Sequence, residues 1–218
     1  GRADRGRMHA MTAPESPASF WNRRYQDVER LWSTEPNAIL VEFADELQPG
    51  RALDLGAGEG RNAVWLARRG WRVTALDVSS AGLARAARRA AAEGVELECV
   101  EADWREYRPA ASFDLVVISF MHPAPDERAS MFASAREGLV PGGHLFVVGV
   151  DLAEHGRRGP PDADRLYTPE RMRRALQGFD LLRCESVGYE GESKEGRRPV
   201  VDVVAIAERP ASPATDRA

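Results

Sequence analysis

The sequence predicts an α/β fold: a doubly wound, mostly parallel sheet of seven strands, with helices on both faces and a C-terminal antiparallel hairpin. Three observations carry this expectation. Strand-like and helix-like runs alternate four times across residues 51–150, a pattern that specifies parallel strands joined by right-handed crossovers. Residues 113–119 (FDLVVIS) are apolar almost throughout, as a strand covered by helices on both sides must be. Two further strand-like runs, 181–189 and 200–207 (VVDVVAIA), are separated only by the charged segment 190–198, so they should pair as a hairpin closing one edge.

Each element follows from local composition. Residues 20–30 (FWNRRYQDVER) and 36–47 (PNAILVEFADEL) read as two short helices ahead of the sheet, with Pro36 suited to a first turn and Pro49-Gly50 stopping the second. Residues 51–55 (RALDL) form the first strand and run directly into a glycine loop, 56–60. Val64, Trp65 and Ala67 then fall at helical spacing, and Gly70 ends that helix. The second strand, 72–76, stops at Asp77; Ser79 or Ser80 caps the alanine-rich helix that runs to about Glu93. The third strand is 95–100 and the fourth 113–119, after which a helix over 126–139 leads through the turn Pro141-Gly142-Gly143 to a fifth strand, 144–150. A polar loop, 151–166, precedes a helix capped by Thr168 with Pro169 in its first position.

The chain has 218 residues, 43% of them apolar, which is enough for one well-buried core. We divide it into a disordered, processed or artificially added start (1–19), one domain with an N-terminal helical lid (20–208) and a disordered tail (209–218). Thirty Lys and Arg against 34 Asp and Glu leave a net charge of -4, which offers no general attraction to a phosphate backbone. Two distant cysteines, Cys99 and Cys184, exclude a thiolate metal site and a disulfide framework, leaving at most one disulfide, and no metal is expected. With neither a membrane-length apolar run nor a signal peptide, no membrane partner and a cytoplasmic location are expected.

The sharpest chemical signal is residues 53–60 (LDLGAGEG). Closely spaced glycines after a strand let the backbone turn tightly and approach a ligand, while the next helix offers free N–H groups. The series is GxGxG: the position of the third glycine in a dinucleotide fingerprint holds Arg61, and no GK[ST] follows to make a phosphate loop. Asp54 would repel a pyrophosphate but favour an ammonium group, so the implied ligand has a cationic amino-acid end; a bracing role for Asp54 in the loop is the competing reading. Asp77, at the end of the second strand, can accept both hydroxyls of a ribose or merely cap the helix after it. Asp103 and Trp104 can flank an adenine, or Trp104 can be packing.

An amino-acid end, a ribose and an adenine together describe S-adenosylmethionine. On residues 53–60, 75–78 (ALDV), 101–104 (EADW) and 113–119 the chain resembles the class I S-adenosylmethionine-dependent methyltransferases, of Rossmann-like fold. The resemblance implies a cofactor site drawn from Asp54, Gly56, Ala57, Gly58, Gly60, Asn62, Asp77, Val78, Ala102, Asp103, Trp104 and Ser119. Residues 21–25 (WNRRY), 32–37 (WSTEPN) and 60–62 (GRN) narrow it toward small bacterial methyltransferases of the tellurite-resistance and thiopurine type.

A small-molecule acceptor is expected, with sulfur, oxygen, nitrogen or a chalcogen receiving the methyl. A nucleic-acid methyltransferase and a non-catalytic cofactor binder are the alternatives. Against nucleic acid stands the segment 119–122 (SFMH), which departs from the Asn/Asp-Pro-Pro-aromatic arrangement of amino-methylating nucleic-acid enzymes. His122, after the fourth strand, is the candidate catalytic base for a hydroxyl acceptor, and otherwise a pocket wall or a structural residue. His144 is expected at the opposite end of the sheet, and His155 in the long loop. Trp21, Arg24 and Tyr25, with Trp32, suggest an aromatic lid for the acceptor, Arg24 being suited to an anionic group; simple helix packing is the competing reading.

Overall fold

The structure, a computed structural model, describes residues 15–27, 35–108, 112–193 and 196–211. Helix α1, Pro17–Gln26, begins three residues ahead of the expected start because Ser16 caps it, its hydroxyl accepting the Ser19 N–H at 3.1 Å. Helix α2, Ala38–Ala44, is capped by Asn37, which accepts from Ile39 and Leu40; Pro36 therefore lies before the cap and not in the first turn. The sheet then builds through β1 (Arg51–Leu55), α3 (Arg61–Arg68), β2 (Arg72–Asp77), α4 (Ser80–Ala92), β3 (Glu98–Glu101), β4 (Phe113–Ser119), α5 (Pro125–Gly138) and β5 (Leu139–Val150). Helix α6 (Pro169–Ala175) and strands β6 (Asp180–Ser193) and β7 (Gly196–Glu208) complete it.

The seven strands lie in the order β3-β2-β1-β4-β5-β7-β6. Strands β1 to β5 are parallel, and β7 runs antiparallel to both β5 and β6. The chain walks outward from β1 to β3 and then returns to place β4 on the other side of β1. A crevice opens at that reversal, beyond the C-terminal ends of β1 and β4.

Strand side chains alternate between two cores. Leu53, Val116, Ile118, Val147 and Ala205 face α5 and α6, meeting Met131, Phe132 and Met172. Ala52, Leu115, Val117, Phe146 and Val204 face α2, α3 and α4, meeting Leu40, Leu66 and Leu83. Burial on both faces explains the unbroken apolar run of β4.

Two boundaries differ from expectation. The hairpin strands reach well into segment 190–198, where Glu190 opposes Pro199 and Gly191 opposes Arg198; a backbone ladder forms whatever the side-chain charge, provided those side chains lie outside the core. Strand β5 begins at Leu139, and the turn at 141–143 is an excursion inside it, since Phe113 opposes Leu139 while Leu115 already opposes His144. Pairing also continues to Arg209, whose N–H donates to the Gly143 carbonyl at 2.8 Å.

Candidate functional site

The glycine loop joins β1 to α3 at the mouth of the crevice. The N–H groups of Gly56 and Ala57 both donate to the Leu76 carbonyl, at 2.8 and 2.9 Å. Gly56, Gly58 and Gly60 have φ of 77°, 53° and 77°, the left-handed region that disfavours residues with a Cβ. Space demands glycine as well. A Cβ on Gly56 would stand 2.6 Å from Met121 Sδ, and one on Gly58 2.5 Å from the Tyr25 hydroxyl.

Asp54 lies beneath this loop, 1% exposed, and neither carboxylate oxygen has a hydrogen-bond partner. The Ala63 N–H draws its pKa down a little, although no normally formed hydrogen bond joins them. Burial dominates, pushing that pKa up to about 7, with Arg61 opposing and Asp77 adding to the rise. Arg61 is half-buried, its pKa is lowered by burial, and its guanidinium lies 5.4 Å from the centre of the Phe120 ring.

Asp77 sits at the end of β2 and uses both oxygens: Gly58 N–H donates to one and Ser79 N–H to the other, each at 2.8 Å. It therefore does brace the loop and the start of α4. Each oxygen still has a further lone pair to offer a ligand hydroxyl. Val78 and Ala102 are half-buried beside it, the Ala102 N–H donating to the Asp77 carbonyl at 3.0 Å.

Other expected cofactor residues are engaged with the protein itself. Asp103 accepts from the Arg105 backbone and guanidinium at 2.9 and 3.2 Å, and that guanidinium also lies over Trp104. Trp104 is 8% exposed and belongs to the core, so packing accounts for it. Asn62 is 2% exposed and engaged at both ends of its amide: its carbonyl accepts the Asn37 N–H, and its NH2 donates to Ser119 Oγ, each at 3.0 Å. Its observed work is to tie α2, α3 and the end of β4 together.

After β4 the backbone turns through Phe120, the one described residue other than glycine with positive φ, at 56°. Three hydrogen bonds hold this turn: Phe120 N–H donates to the Val148 carbonyl at 2.7 Å, Val150 N–H donates to His122 Nε2 at 3.0 Å, and Tyr167 Oη donates to the Met121 carbonyl at 2.8 Å. The lone pair that a base at His122 would use is thus committed to Val150, and burial pushes its pKa down to about 4. In this geometry His122 holds the β4 turn against β5.

Sequence reasoning missed the wall opposite. Arg158, from the loop after β5, stands 6.0 Å from the Phe120 ring and pairs with Asp202 at 2.7 Å. Asp202 is 1% exposed and also accepts a hydrogen bond from the Tyr189 hydroxyl. A lone acid inside the apolar run VVDVVAIA was the available signal.

Helix α1 covers the loop from outside. Tyr25 is 3% exposed and lies against Gly58 and Gly82. Asn22, also missed, accepts from Ser79 Oγ and the Ala81 N–H at 2.7 and 3.1 Å. Trp21 is half-buried and leans on Tyr25, with ring centroids 6.2 Å apart. Arg24 is exposed, and its guanidinium lies over Phe20 and Trp21. Trp32 lies outside the described residues. Arg85 pairs with Glu59 at 2.6 Å and donates to the Tyr25 carbonyl.

At the opposite end of the sheet, a depression of about 240 Å³ is lined by Leu47, Trp71, Asp114 and His144. His144 lies there as expected, 3.7 Å from Glu208. No residue of the glycine loop lines this depression. His155 bonds to the Pro161 carbonyl at 3.0 Å, within its own loop.

Residues 52–143 match the family model described as a methyltransferase domain. The chain is 30% identical over 171 residues to the ubiquinone biosynthesis O-methyltransferase of Idiomarina loihiensis, an alignment covering 70% of this chain and 69% of that protein. The chain belongs to the class I S-adenosylmethionine-dependent methyltransferases. The corresponding protein of Cronobacter sakazakii is 32% identical over 61% of this methyltransferase, which spans only 56% of that relative's length. TehB from Haemophilus influenzae superposes with a TM-score of 0.68 at 18% identity, covering 88% of this chain and 66% of that one. At that identity the likeness is one of fold, and the narrower resemblance to the tellurite-resistance type goes no further.

Proposed function

We propose that this methyltransferase transfers a methyl group from S-adenosylmethionine to a small-molecule acceptor whose nucleophilic atom attacks without a basic side chain. The observation that carries the cofactor reading is Asp54: a buried carboxylate with no partner, under a loop of three left-handed glycines, is complementary to a ligand ammonium group. Asp77 would accept from ribose hydroxyls with its remaining lone pairs. The sulfonium, when bound, supplies an electrophilic methyl group. The protein's own residues then orient and enclose. Met121 and Tyr25 cover the loop from two sides, and the rigid turn at Phe120 fixes the wall an acceptor would meet.

Support for attack without a base comes from the committed groups at this edge: His122 accepts from Val150, Tyr189 donates to Asp202, and Asp202 also binds Arg158. An acceptor that is already a good nucleophile, such as a thiolate, a chalcogen anion or an acidic phenol, suits such a site. We further propose that the protein works in a reducing cytoplasm; Cys99 and Cys184 are free thiols, on strands at opposite edges of the sheet.

Calorimetry with S-adenosylmethionine, S-adenosylhomocysteine and NAD, followed by an acceptor screen read by S-adenosylhomocysteine release, tests the proposal. Binding of both adenosyl ligands, with turnover of a thiol rising as that thiol ionises, is expected. Binding of NAD alone would overturn the cofactor, and efficient turnover of aliphatic alcohols would overturn the acceptor class.

A further inference from the structure

On the far side of the crevice, a buried acid fixes an arginine that keeps a donor to spare. Asp202 opposes Val150 in the β5–β7 pairing, which sets it at the C-terminal end of β5. Both of its oxygens are taken: Arg158 Nη2 donates to one at 2.7 Å and the Tyr189 hydroxyl donates to the other. Arg158 Nη1 has no hydrogen-bond partner among the described residues, although it is shut off from water. The side chain as a whole is 21% exposed, which gives an incoming group its approach, and the guanidinium lies 6.0 Å from the centre of the Phe120 ring. Phe120 precedes Met121, whose sulfur packs on Gly56 of the glycine loop. Arg158 therefore borders the place where cofactor and acceptor would meet.

The stretch of chain that carries Arg158 is pinned. The Arg158 N–H donates to the Glu154 carbonyl at 3.0 Å, and the Glu154 carboxylate accepts from Arg198 at 2.8 Å and from the Val201 N–H at 3.2 Å. The guanidinium is thus held in one place from both its backbone and its Asp202 end. A guanidinium brings five donors in a planar fork, and fastening this loop to β7 uses one of them. A donor kept from water without an acceptor is unfavourable, and a carboxylate is the group whose geometry best completes a guanidinium.

We propose, resting on the small-molecule acceptor reading above, that Arg158 binds a carboxylate on the acceptor, with Asp202 and Tyr189 as the positioning residues that hold its guanidinium ready. The acceptor class is then a nucleophile, a thiol in the simplest case, that carries a carboxylate apart from the reacting atom. That carboxylate keeps its charge throughout: the thiolate forms the new S–C bond, the methyl–sulfonium bond breaks, and its electron pair stays on the departing sulfur. Arg158 accordingly acts alike on ground state and transition state, so its contribution falls on KM and not on kcat.

The test is turnover by the full chain of 2-, 3- and 4-mercaptobenzoate and of the three matching mercaptobenzamides, read by S-adenosylhomocysteine release. Each amide differs from its acid in charge and hardly in shape. For at least one isomer the unaltered chain should show a KM about 10-fold or more lower for the acid than for the amide. Arg158→Gln should lower the acid-to-amide ratio of kcat/KM about 10- to 100-fold, through the KM of the acid, and Arg158→Lys should recover part of the loss because the charge remains. Arg158→Gln orphans Asp202, so Arg158→Gln/Asp202→Asn repeats the test with no unpaired carboxylate left in its place. Losses in the same proportion for acid and amide would show that Arg158 only clasps the loop, overturning the inference. Binding of S-adenosylhomocysteine with no preference for any acid, whether by equal turnover or by none, would overturn it and leave the cofactor reading standing. Failure of the unaltered chain to bind S-adenosylhomocysteine in calorimetry would instead remove the cofactor reading, and this inference with it.

Discussion

Asp54 makes the stability of the unliganded protein depend on pH. Its folded pKa of about 7 lies above the ordinary 3.8, so between those values the folded state holds more protons and stability falls as pH rises. His122 acts in the opposite sense. Its folded pKa of about 4 lies below 6.5, so the stability of its neutral form is complete above 6.5 and is lost as pH falls toward 4. We predict that Asp54→Asn removes the loss of stability between pH 6.5 and 7, raises the unfolding midpoint at pH 8, and weakens S-adenosylhomocysteine binding. Thermal melts from pH 5 to 8 check this; a wild-type slope retained in the variant would refute it. Residue identity placed Asp54, Asp77 and the three glycines at the ends of β1 and β2, where the structure has them. What could not be read was the partner each group takes: Asn62, Asp103 and His122 are the right types in the right segments, yet their polar groups are bound by Ser119, Arg105 and Val150.

At the scale of elements, Asn22 fastens α1 to the start of α4, accepting from Ser79 Oγ and the Ala81 N–H. Asn22→Ala should loosen α1 by about 1 kcal/mol, the usual worth of a helix-capping acceptor. Hydrogen exchange would show it as faster exchange in α1 with little change in β1 and β4. Gly56→Ala probes the loop: with φ at 77° and Met121 Sδ 2.6 Å from the new methyl, a loss of about 1–3 kcal/mol is expected. Adding Met121→Ala should return only the steric part, and full recovery in denaturant titrations would show the backbone conformation to be free of cost. The central strands and helices were legible because their apolar period and caps are local. Strand ends were not: the ladder past Glu190 and the turn inside β5 depend on a neighbouring strand that no local pattern records.

The whole molecule carries a net charge of -4, and several arginines that cluster in sequence are neutralised in space: Arg68 by Glu93, Arg69 by Asp45 and Arg85 by Glu59. Filter binding with RNA and duplex DNA should therefore give no retention at 150 mM salt, about the physiological strength at which exposed charges are screened beyond roughly 8 Å. Tight, salt-resistant retention would reverse the small-molecule reading. The parallel half of the sheet was legible from alternation, whereas the insertion of β7 between β5 and β6 was not, because strand order across a hairpin is a long-range choice. That order fixes when the molecule can be finished. As the chain leaves the ribosome, β6 emerges with no strand to join, while the flank of β5 stays bare and apolar. Only β7 fills the gap, and it brings Asp202 with it, so the Arg158–Asp202 pair is assembled last, and until then the nascent chain presents an open edge to its neighbours.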